Sequence, residues 1–196
     1  MPEGGALAHL DFLKAFFRDR HTIGAVAPTS RGVARRMAKL GDVQSALTIA
    51  EFGPGTGAIT FSLLEALPAD SRMWAFEVYK PFVEHLQREV TDPRFTLLER
   101  SAADIEDVRQ REVPDGFDAV ISSIPFSLIG PDTTREILRA VARSLRPDGV
   151  FVALQYHPTF LRPFLLEEFA QVRRNPYLWN IPPTLLLTAR EARRPN

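Results

Sequence analysis

The sequence contains no cysteine, and it has no excess of either charge, with 24 lysine and arginine residues against 24 aspartate and glutamate residues. Without cysteine there is no disulfide framework and no thiolate ligand for a metal ion, and we expect no metal site. No stretch reaches the roughly 18 uninterrupted apolar residues that a membrane-spanning helix requires. The N-terminus lacks a basic segment followed by an apolar one, so we expect no signal peptide. These absences indicate a cytoplasmic protein.

The charges that are present are unevenly distributed along the 196 residues. Residues 1–39 contain seven basic and three acidic side chains, which leaves 17 basic against 21 acidic side chains for the rest of the chain. A basic segment on an otherwise acidic domain suggests an anionic partner, either lipid headgroups or nucleic acid. The hydrophobic content of 45% is sufficient for one domain with a sizeable core.

A glycine-rich turn is the most informative part of the sequence. The apolar run 47–52 ends at three glycines spaced by two, Gly53, Gly55 and Gly57, and a helical pattern follows over 58–67. Glycine tolerates positive φ and lets a ligand approach the backbone closely. In open α/β sheets, ligands bind at the carboxyl ends of the strands, where such a turn lies.

Two carboxylates indicate which ligand this turn binds. Glu51 precedes the first glycine by two residues, and Glu77 ends the next strand, 20 residues after Gly57. A carboxylate beside the turn suits the ammonium group of S-adenosylmethionine (AdoMet) better than a pyrophosphate, and Glu77 can accept hydrogen bonds from both ribose hydroxyls. The pattern Glu-x-Gly-x-Gly-x-Gly resembles motif I of the class I AdoMet-dependent methyltransferases, whose product is S-adenosylhomocysteine. The alternatives are a NAD-binding turn, which Ala58 in the position of the third glycine disfavours, and a structural loop.

The segment after the third predicted strand supplies a candidate adenine site. In class I methyltransferases an acid in the position of Asp104 often accepts a hydrogen bond from the adenine amino group, and a neighbouring apolar residue such as Ala103 or Ile105 packs on the ring. The alternative for Asp104 is a helix N-cap, a position where aspartate is favoured. We assign Val78 and Ser122, at the ends of the second and fourth predicted strands, to the same pocket.

The alternation of apolar runs with helical patterns predicts an α/β fold. We expect a single Rossmann-like class I methyltransferase domain with a seven-stranded, mostly parallel sheet and helices on both faces, preceded by N-terminal amphipathic helices. Residues 41–196 form this domain, and residues 1–40 form a helical arm that binds membrane and substrate. The predicted strands are 47–52, 72–77, 95–98, 117–122 and 149–155, with an antiparallel pair at 169–173 and 184–189, and the predicted helices are 57–67, 80–91, 103–110 and 132–145.

The arm contains two predicted helices. The first, over 7–20, carries a stripe of leucine and phenylalanine flanked by cations, which is typical of a helix that lies in a membrane interface. The alternative is a helix packed over the domain. The second, roughly 31–40, follows a hydroxyl residue, Thr29 or Ser30, that can cap it. Its Arg31 is a candidate contact for a substrate phosphate, or part of a solvated face.

The end of the fourth predicted strand, Ser123-Ile124-Pro125-Phe126, is similar to motif IV of amino-group methyltransferases. Enzymes that methylate the planar amino group of adenine carry Asn or Asp in the first position and usually an aromatic residue in the last. The shorter hydroxyl of Ser123 positions a planar amine poorly, whereas an aliphatic amine, once deprotonated, needs mainly proximity and orientation. We therefore predict that Ser123 is catalytic and that Pro125 and Phe126 bind the substrate. The alternative is a simple strand terminus.

Several aromatic residues are candidates for contact with a methylated ammonium group, because aromatic rings attract such cations. They are Phe126, Tyr156, Tyr177 and Trp179, and the alternative for each is the ordinary core. Tyr156 and His157 follow the fifth predicted strand, and either can accept the proton of the incoming amine. The proton can also leave to water.

Taken together, these segments resemble bacterial phospholipid N-methyltransferases over most of the chain. The resemblance implies methyl transfer from AdoMet to the amine of phosphatidylethanolamine, giving its methylated derivatives and phosphatidylcholine. It also implies a peripheral protein that binds the anionic inner face of the plasma membrane through the N-terminal helix, without nucleic acid or an obligate protein partner. The segments that carry the resemblance, besides the glycine turn and the motif IV loop, are 12–17, 24–30, 34–38, Gln155-Tyr156 and 179–183.

The sequence departs from this family after the motif IV proline, where Phe126-Ser127-Leu128 replaces a leucine-rich segment. This difference leaves headgroup preference and the number of methyl groups open. The rRNA adenine dimethylases are related in motifs I and IV, and they or a methyltransferase for another soluble amine are the alternative. Ser123 and a chain of 196 residues, with no C-terminal helical domain expected, argue against the rRNA enzymes. A non-catalytic AdoMet-binding module is a third interpretation.

Overall fold

A computed structural model of the chain describes residues 30–179 and 183–193. The predicted interfacial helix over 7–20 lies outside the described residues, as does most of the segment 180–183. Among the described residues, no helix combines the length and the apolar character needed to cross a bilayer.

The seven strands form one sheet in the order β3-β2-β1-β4-β5-β7-β6. Strands β1 to β5 are parallel, and β7 runs antiparallel to both β5 and β6. The predicted Rossmann-like sheet with an antiparallel final pair is confirmed. The strands are β1 (Thr48–Phe52), β2 (Arg72–Phe76), β3 (Phe95–Leu98), β4 (Phe117–Ser122), β5 (Leu145–Gln155), β6 (Phe169–Tyr177) and β7 (Thr184–Ala192).

Seven α-helices cover the sheet in the described part of the chain. Ser30 caps α1 by accepting a hydrogen bond of 3.3 Å from the backbone N–H of Val33, as predicted. Two short helices, α5 and α7, were not predicted, and single 3₁₀ turns cover Val43–Ser45 and Ala102–Asp104. The helices are α1 (Arg31–Leu40), α2 (Thr60–Ala66), α3 (Lys80–Glu89), α4 (Ile105–Glu112), α5 (Phe126–Ile129), α6 (Pro131–Ser144) and α7 (Leu161–Glu168).

The core consists of two apolar clusters, one on each face of the sheet. Helices α1 and α2 pack on one face, and α4, α5, α6 and α7 pack on the other. Val33, Ala34 and Met37 of α1 are fully buried against the sheet. Helix α1 is therefore part of the core of the domain, and the predicted boundary at residue 40 does not coincide with a break in packing.

The strand order determines where a ligand can bind. Phe52, the last residue of β1, is level with Phe76 of β2 on one side and with Ser122 of β4 on the other. The chain order reverses between β1 and β4, and ligands bind in the crevice at such a switch point. The carboxyl ends of β1, β2, β4 and β5 therefore bring the predicted site segments to one edge, which we call the carboxyl edge.

Candidate active site

The glycine turn adopts a backbone that other residues rarely enter. Gly53, Gly55 and Gly57 have φ values of +66°, +58° and +85°. A Cβ at Gly53 would lie 3.3 Å from the side chain of Ile124, and one at Gly57 would lie 2.9 Å from the ring of Phe61. The three glycines thus keep the turn narrow and its backbone accessible, as their predicted role requires.

Glu51 lies beneath this turn and is 1% exposed. Its Oε2 accepts a hydrogen bond of 2.7 Å from the hydroxyl of Thr60, whereas Oε1 is buried and has no hydrogen-bond partner among the described residues. Burial raises the pKa of Glu51 to about 8, against the opposing effect of the Thr60 bond and with a further increase from the charge of Glu77. A buried carboxyl oxygen without a partner fits a cationic ligand group, because a positive charge would stabilise the ionised form.

Glu77 connects the end of β2 to the glycine turn. Its Oε1 accepts backbone hydrogen bonds from Val78 (2.9 Å) and Tyr79 (2.8 Å), and its Oε2 accepts one from Gly55 (3.1 Å). Burial raises the pKa of this carboxyl, and the three backbone hydrogen bonds oppose the increase. Since a carboxylate offers about four acceptor sites, one remains for a ribose hydroxyl, which is one fewer than the two ribose hydroxyls predicted. Val78 contributes to the site through its backbone N–H.

The predicted adenine segment forms the 3₁₀ turn that precedes α4. Ser101, not Asp104, provides the side-chain cap, by accepting a hydrogen bond of 3.2 Å from the backbone N–H of Ala103. Asp104 makes no capping bond, and its carboxylate lies 3.5 Å from Nε of Arg100. Ile105 is fully buried in the core, so it has no surface for an adenine ring, and only half-buried Ala103 remains available from this pair.

The residue after β4, Ser123, is hydrogen-bonded directly to the start of the glycine turn. The hydroxyl of Ser123 donates a hydrogen bond of 2.6 Å to the carbonyl of Gly53, and its backbone N–H donates one of 3.0 Å to the carbonyl of Phe52. Ser122 is fully buried, and its hydroxyl accepts a weak bond of 3.3 Å from the N–H of Ile124. The proton of the Ser123 hydroxyl is therefore committed, and the lone pairs that remain can only accept.

Gln155, at the end of β5, is a site residue to which we assigned no role from the sequence. It is 2% exposed, and its amide nitrogen donates to the carbonyls of Leu154 (2.6 Å) and Ile124 (3.3 Å). The motif IV loop is thus held by Ser123 on the β1 side and by Gln155 on the β5 side. The sequence feature that could have revealed this role is a glutamine at the end of an otherwise apolar strand.

The predicted aromatic contacts do not share one environment. Phe126 is fully buried and packs edge to face against Phe151, with ring centroids 6.4 Å apart. The structure thus places Phe126 in the core instead of in a substrate pocket, because the chain turns into α5 immediately after half-buried Pro125. Tyr156 is 40% exposed at the end of β5, and the exposed His157 packs its ring against Phe160.

The three remaining substrate candidates lie around the end of β6. Tyr177 is half-buried, with its hydroxyl against Gly32 of α1. Trp179 is 89% exposed, and Arg31 is exposed at the first residue of α1. These residues belong to the same carboxyl edge as Tyr156, although β6 lies two strands, or about 10 Å, from β5.

Comparison with known proteins identifies the family. Residues 49–149, just over half of the chain, match the family described as a methyltransferase domain. The chain belongs to this family. The matched range contains the glycine turn, both carboxylates and the motif IV loop. The chain is an AdoMet-dependent methyltransferase, and the buried Glu51 oxygen and the open glycine turn fit that cofactor.

The relatives of known function act on different substrates. An ornithine lipid N-methyltransferase from Singulisphaera acidiphila is 26% identical over 162 residues, which cover 82% of this chain and 84% of the relative. A ribosomal RNA small subunit methyltransferase A from Alcanivorax borkumensis is 31% identical over 114 residues, 58% of this chain and 39% of the relative. The chain thus spans most of the lipid enzyme and well under half of the RNA enzyme.

Solved structures confirm the fold. A 1,6-didemethyltoxoflavin-N1-methyltransferase from Burkholderia thailandensis, with S-adenosylhomocysteine bound, gives a TM-score of 0.68 at 17% identity and covers 98% of this chain and 93% of its own. The N-methyltransferase NodS from Bradyrhizobium japonicum gives a TM-score of 0.67 at 16% identity, with coverages of 85% and 98%.

Proposed function

We propose that this methyltransferase transfers methyl groups to the amine of a membrane lipid, with phosphatidylethanolamine and its mono- and dimethyl derivatives as substrates. The similarity to an ornithine lipid N-methyltransferase along most of both chains supports a lipid amine as the acceptor. When bound, AdoMet supplies a methyl group on a sulfonium, which is transferred to the amine lone pair with release of S-adenosylhomocysteine. The protein's own groups bind the amine, orient it and accept its proton.

The observation that carries this proposal is the arrangement at Ser123. Because its hydroxyl donates to the Gly53 carbonyl, it can accept a hydrogen bond from the N–H of a primary or monomethylated amine beside the glycine turn, whereas a deprotonated dimethylamine has no N–H to donate. One accepted hydrogen bond is sufficient to orient a tetrahedral aliphatic amine. A planar adenine amino group is usually also stacked on the motif IV aromatic ring, and the ring of Phe126 is fully buried. Both features favour an aliphatic amine over a nucleobase.

Tyr156 and His157 complete the proposal as proton acceptors. Both are exposed directly after β5, the strand that follows β4 in the sheet. The amine must lose one proton for each methyl group added, so an accessible base or water must lie on this side. Tyr156 directly follows Gln155, which holds the motif IV loop. It remains our candidate for contact with a methylated ammonium group.

The membrane would be approached from the carboxyl edge. Arg31 is exposed at the start of α1, where it could meet a lipid phosphate, and the helix N-terminus adds a favourable field for an anion. The predicted interfacial helix over 7–20 precedes Arg31 in the sequence. We propose that the protein binds the cytoplasmic membrane surface peripherally.

The test is methyl transfer from radiolabelled AdoMet to four separate acceptors. These are vesicles containing phosphatidylethanolamine, vesicles containing ornithine lipid, ribosomal RNA and free ethanolamine. We expect label in the lipid fractions, with phosphatidylethanolamine preferred, and mass spectrometry of cellular lipids would give the product series. Label confined to RNA would refute the proposal in favour of the rRNA-type alternative. The variant Gly55→Val, which forces a bulky residue to φ +58°, serves as the cofactor-deficient control.

A further inference from the structure

The turn after β6 carries the two most exposed large apolar side chains in the described part of the protein. Leu178 is 74% exposed and Trp179 is 89% exposed, and no other large hydrophobic residue described exceeds 50%. Exposing adjacent Leu and Trp side chains is unfavourable unless something covers them, since each gains free energy on leaving water. We call this pair the Leu-Trp tip.

The tip extends from the edge of the sheet where the chemistry occurs. Leu185 of β7 pairs with Gln155 on one side and with Pro176 on the other, so the ends of β5 and β6 are level. Trp179 lies three residues beyond Pro176, and Tyr156 lies one residue beyond Gln155, so both follow the same level of the sheet. Of the six exposed large hydrophobic residues in the described part of the chain, four lie at this edge, namely Phe61, Tyr156, Leu178 and Trp179.

The exposed charges near the tip are mainly basic. Exposed Asp132, at the start of α6, is paired with Arg135. Among the described residues of the part of the edge formed by β5, β7 and β6, the exposed basic side chains are Arg162 at the start of α7, Arg174 near the end of β6 and Arg31 at the start of α1. No ion pair joins any of them to an acid within the described chain. An apolar tip within a basic surround matches an anionic lipid interface, where each nearby arginine adds about fivefold to binding.

We propose that the Leu-Trp tip inserts into the bilayer interface and holds the carboxyl edge against the membrane, an inference that rests on the proposed lipid substrate. Tryptophan favours this zone because its ring is apolar while its N–H remains hydrated. The tip is too small to be a protein interface by itself, since stable interfaces bury about 800 Å² on each partner and a tryptophan offers at most about 250 Å². Insertion would leave the motif IV loop about 15 Å to one side, three strands away.

Tryptophan fluorescence tests this directly, because the chain contains only two tryptophans. Trp74 is 2% exposed and donates to Glu112, so the full-length Trp74→Phe variant reports on Trp179 alone. The probe is a vesicle of phosphatidylglycerol and phosphatidylethanolamine with and without brominated acyl chains. We expect emission to shift to shorter wavelength and to be quenched by bromine. If Trp74→Phe unfolds, the difference between wild type and Trp179→Phe gives the same signal.

A pair of variants measures the contribution of the tip. Leu178→Ser with Trp179→Ser should lower the vesicle partition coefficient about 10- to 100-fold, because two large apolar side chains no longer leave water. Leu47→Ser is the matched control. Leu47 is 50% exposed but lies at the opposite edge, so this substitution should leave the vesicle partition coefficient unchanged.

Three outcomes would overturn the inference. Vesicle binding without bromine quenching would assign the contact to another segment, and absence of binding would remove the contact altogether. An emission shift that depends on protein concentration without vesicles would indicate a second copy of the chain over the tip.

The lipid substrate is tested separately with monomeric, short-chain phosphatidylethanolamine, which requires no insertion. If the tip is quenched but no lipid amine is methylated, the proposed function fails and the membrane contact remains. If the short-chain lipid is methylated without quenching, the membrane contact fails and the function remains.

Discussion

Glu51 offers the sharpest test of the cofactor site, because its two carboxyl oxygens have different environments. One oxygen accepts a hydrogen bond from Thr60, and the other is buried without a partner among the described residues. Burial raises its pKa from 4.5 to about 8, so without cofactor the native protein keeps this residue protonated at neutral pH. The substitution Glu51→Gln replaces that neutral acid with a neutral amide of the same shape.

The size of the effect on stability follows from the linkage between protonation of Glu51 and folding. Between pH 4.5 and 8 the unfolded chain has released the Glu51 proton and the native state retains it, so the free energy of unfolding falls as pH rises. The slope is about 1.4 kcal/mol per pH unit, and the loss sums to roughly 5 kcal/mol above pH 8. The Glu51→Gln variant lacks this pH-dependent loss. Its free energy of unfolding should equal that of wild type near pH 4.5 and exceed it by roughly 3 kcal/mol at pH 7.

Urea denaturation of the cofactor-free protein from pH 5 to 9 measures this difference. Glu77 contributes its own slope because burial also raises its pKa, and this contribution is present in both proteins and cancels in the comparison. Glu65→Gln, an exposed site on α2, controls for the loss of one carboxylate. Stability curves for wild type and Glu51→Gln that run parallel across this range would refute the assignment of a buried, protonated Glu51.

The same residue should link cofactor binding to proton release. A cationic ligand group beside the partnerless oxygen favours the ionised carboxyl, so AdoMet binding at pH 7 should release up to about one proton. Calorimetry in buffers with different ionisation enthalpies measures that proton. Glu51→Gln should bind AdoMet at least about tenfold more weakly and release none, because it has no proton to lose and no charge to offer. Equal proton release by both proteins would contradict the role of Glu51.

Three further substitutions separate the functions of the other residues. Glu77→Ala removes the acceptor for three backbone N–H groups and a ribose hydroxyl. We expect the Kd for AdoMet, measured by calorimetry, to rise about 10- to 100-fold, and an unchanged Kd would refute the ribose assignment. Ser123→Ala should lower kcat about tenfold with less than about a threefold change in the Kd for AdoMet, and equal losses in both would argue against amine positioning. Asp118→Ala, at the opposite edge, removes the acceptor for the N–H groups of Leu47 and Thr48, and should lower the unfolding free energy by about 3 kcal/mol while leaving AdoMet affinity intact; weaker binding in the folded variant would contradict a purely structural role.

The sheet was predictable because its strands are short apolar runs separated by clear turn and helix signals. Strand β4, for example, has the predicted bounds, and five of its six residues are apolar or small and uncharged. The prediction failed at two segments that contain a proline, 161–168 and 174–177. Pro163 lies in the first turn of α7, where its missing N–H has no helical partner to lose, and Pro176 lies in β6, an edge strand that tolerates it. Helix α7 was missed, and β6 was predicted to end too early.

The contacts of the active site were less predictable than the residues themselves. Ser123 meets Gly53 across 70 positions of sequence, and Gln155 meets Ile124 across 31. Both contacts exist because β4 inserts between β1 and β5, and the spacing of residues does not reveal that order. The burial of Phe126 has the same origin. The loop is bonded on both sides, so the chain turns sharply after Pro125 and directs the next side chain toward Phe151.

The β6–β7 hairpin illustrates how one element can serve both the fold and its surface. Paired with β5, it keeps the strand before Tyr156 from becoming an exposed edge, which would otherwise invite unwanted strand pairing. Tyr177 belongs to this structural role, since its ring packs against the α1 side of the core. Leu178 and Trp179, immediately afterwards, contribute almost nothing to that core. Deleting the hairpin would therefore confound folding with the proposed membrane contact, whereas substitutions at these two positions change the surface and leave the sheet closed.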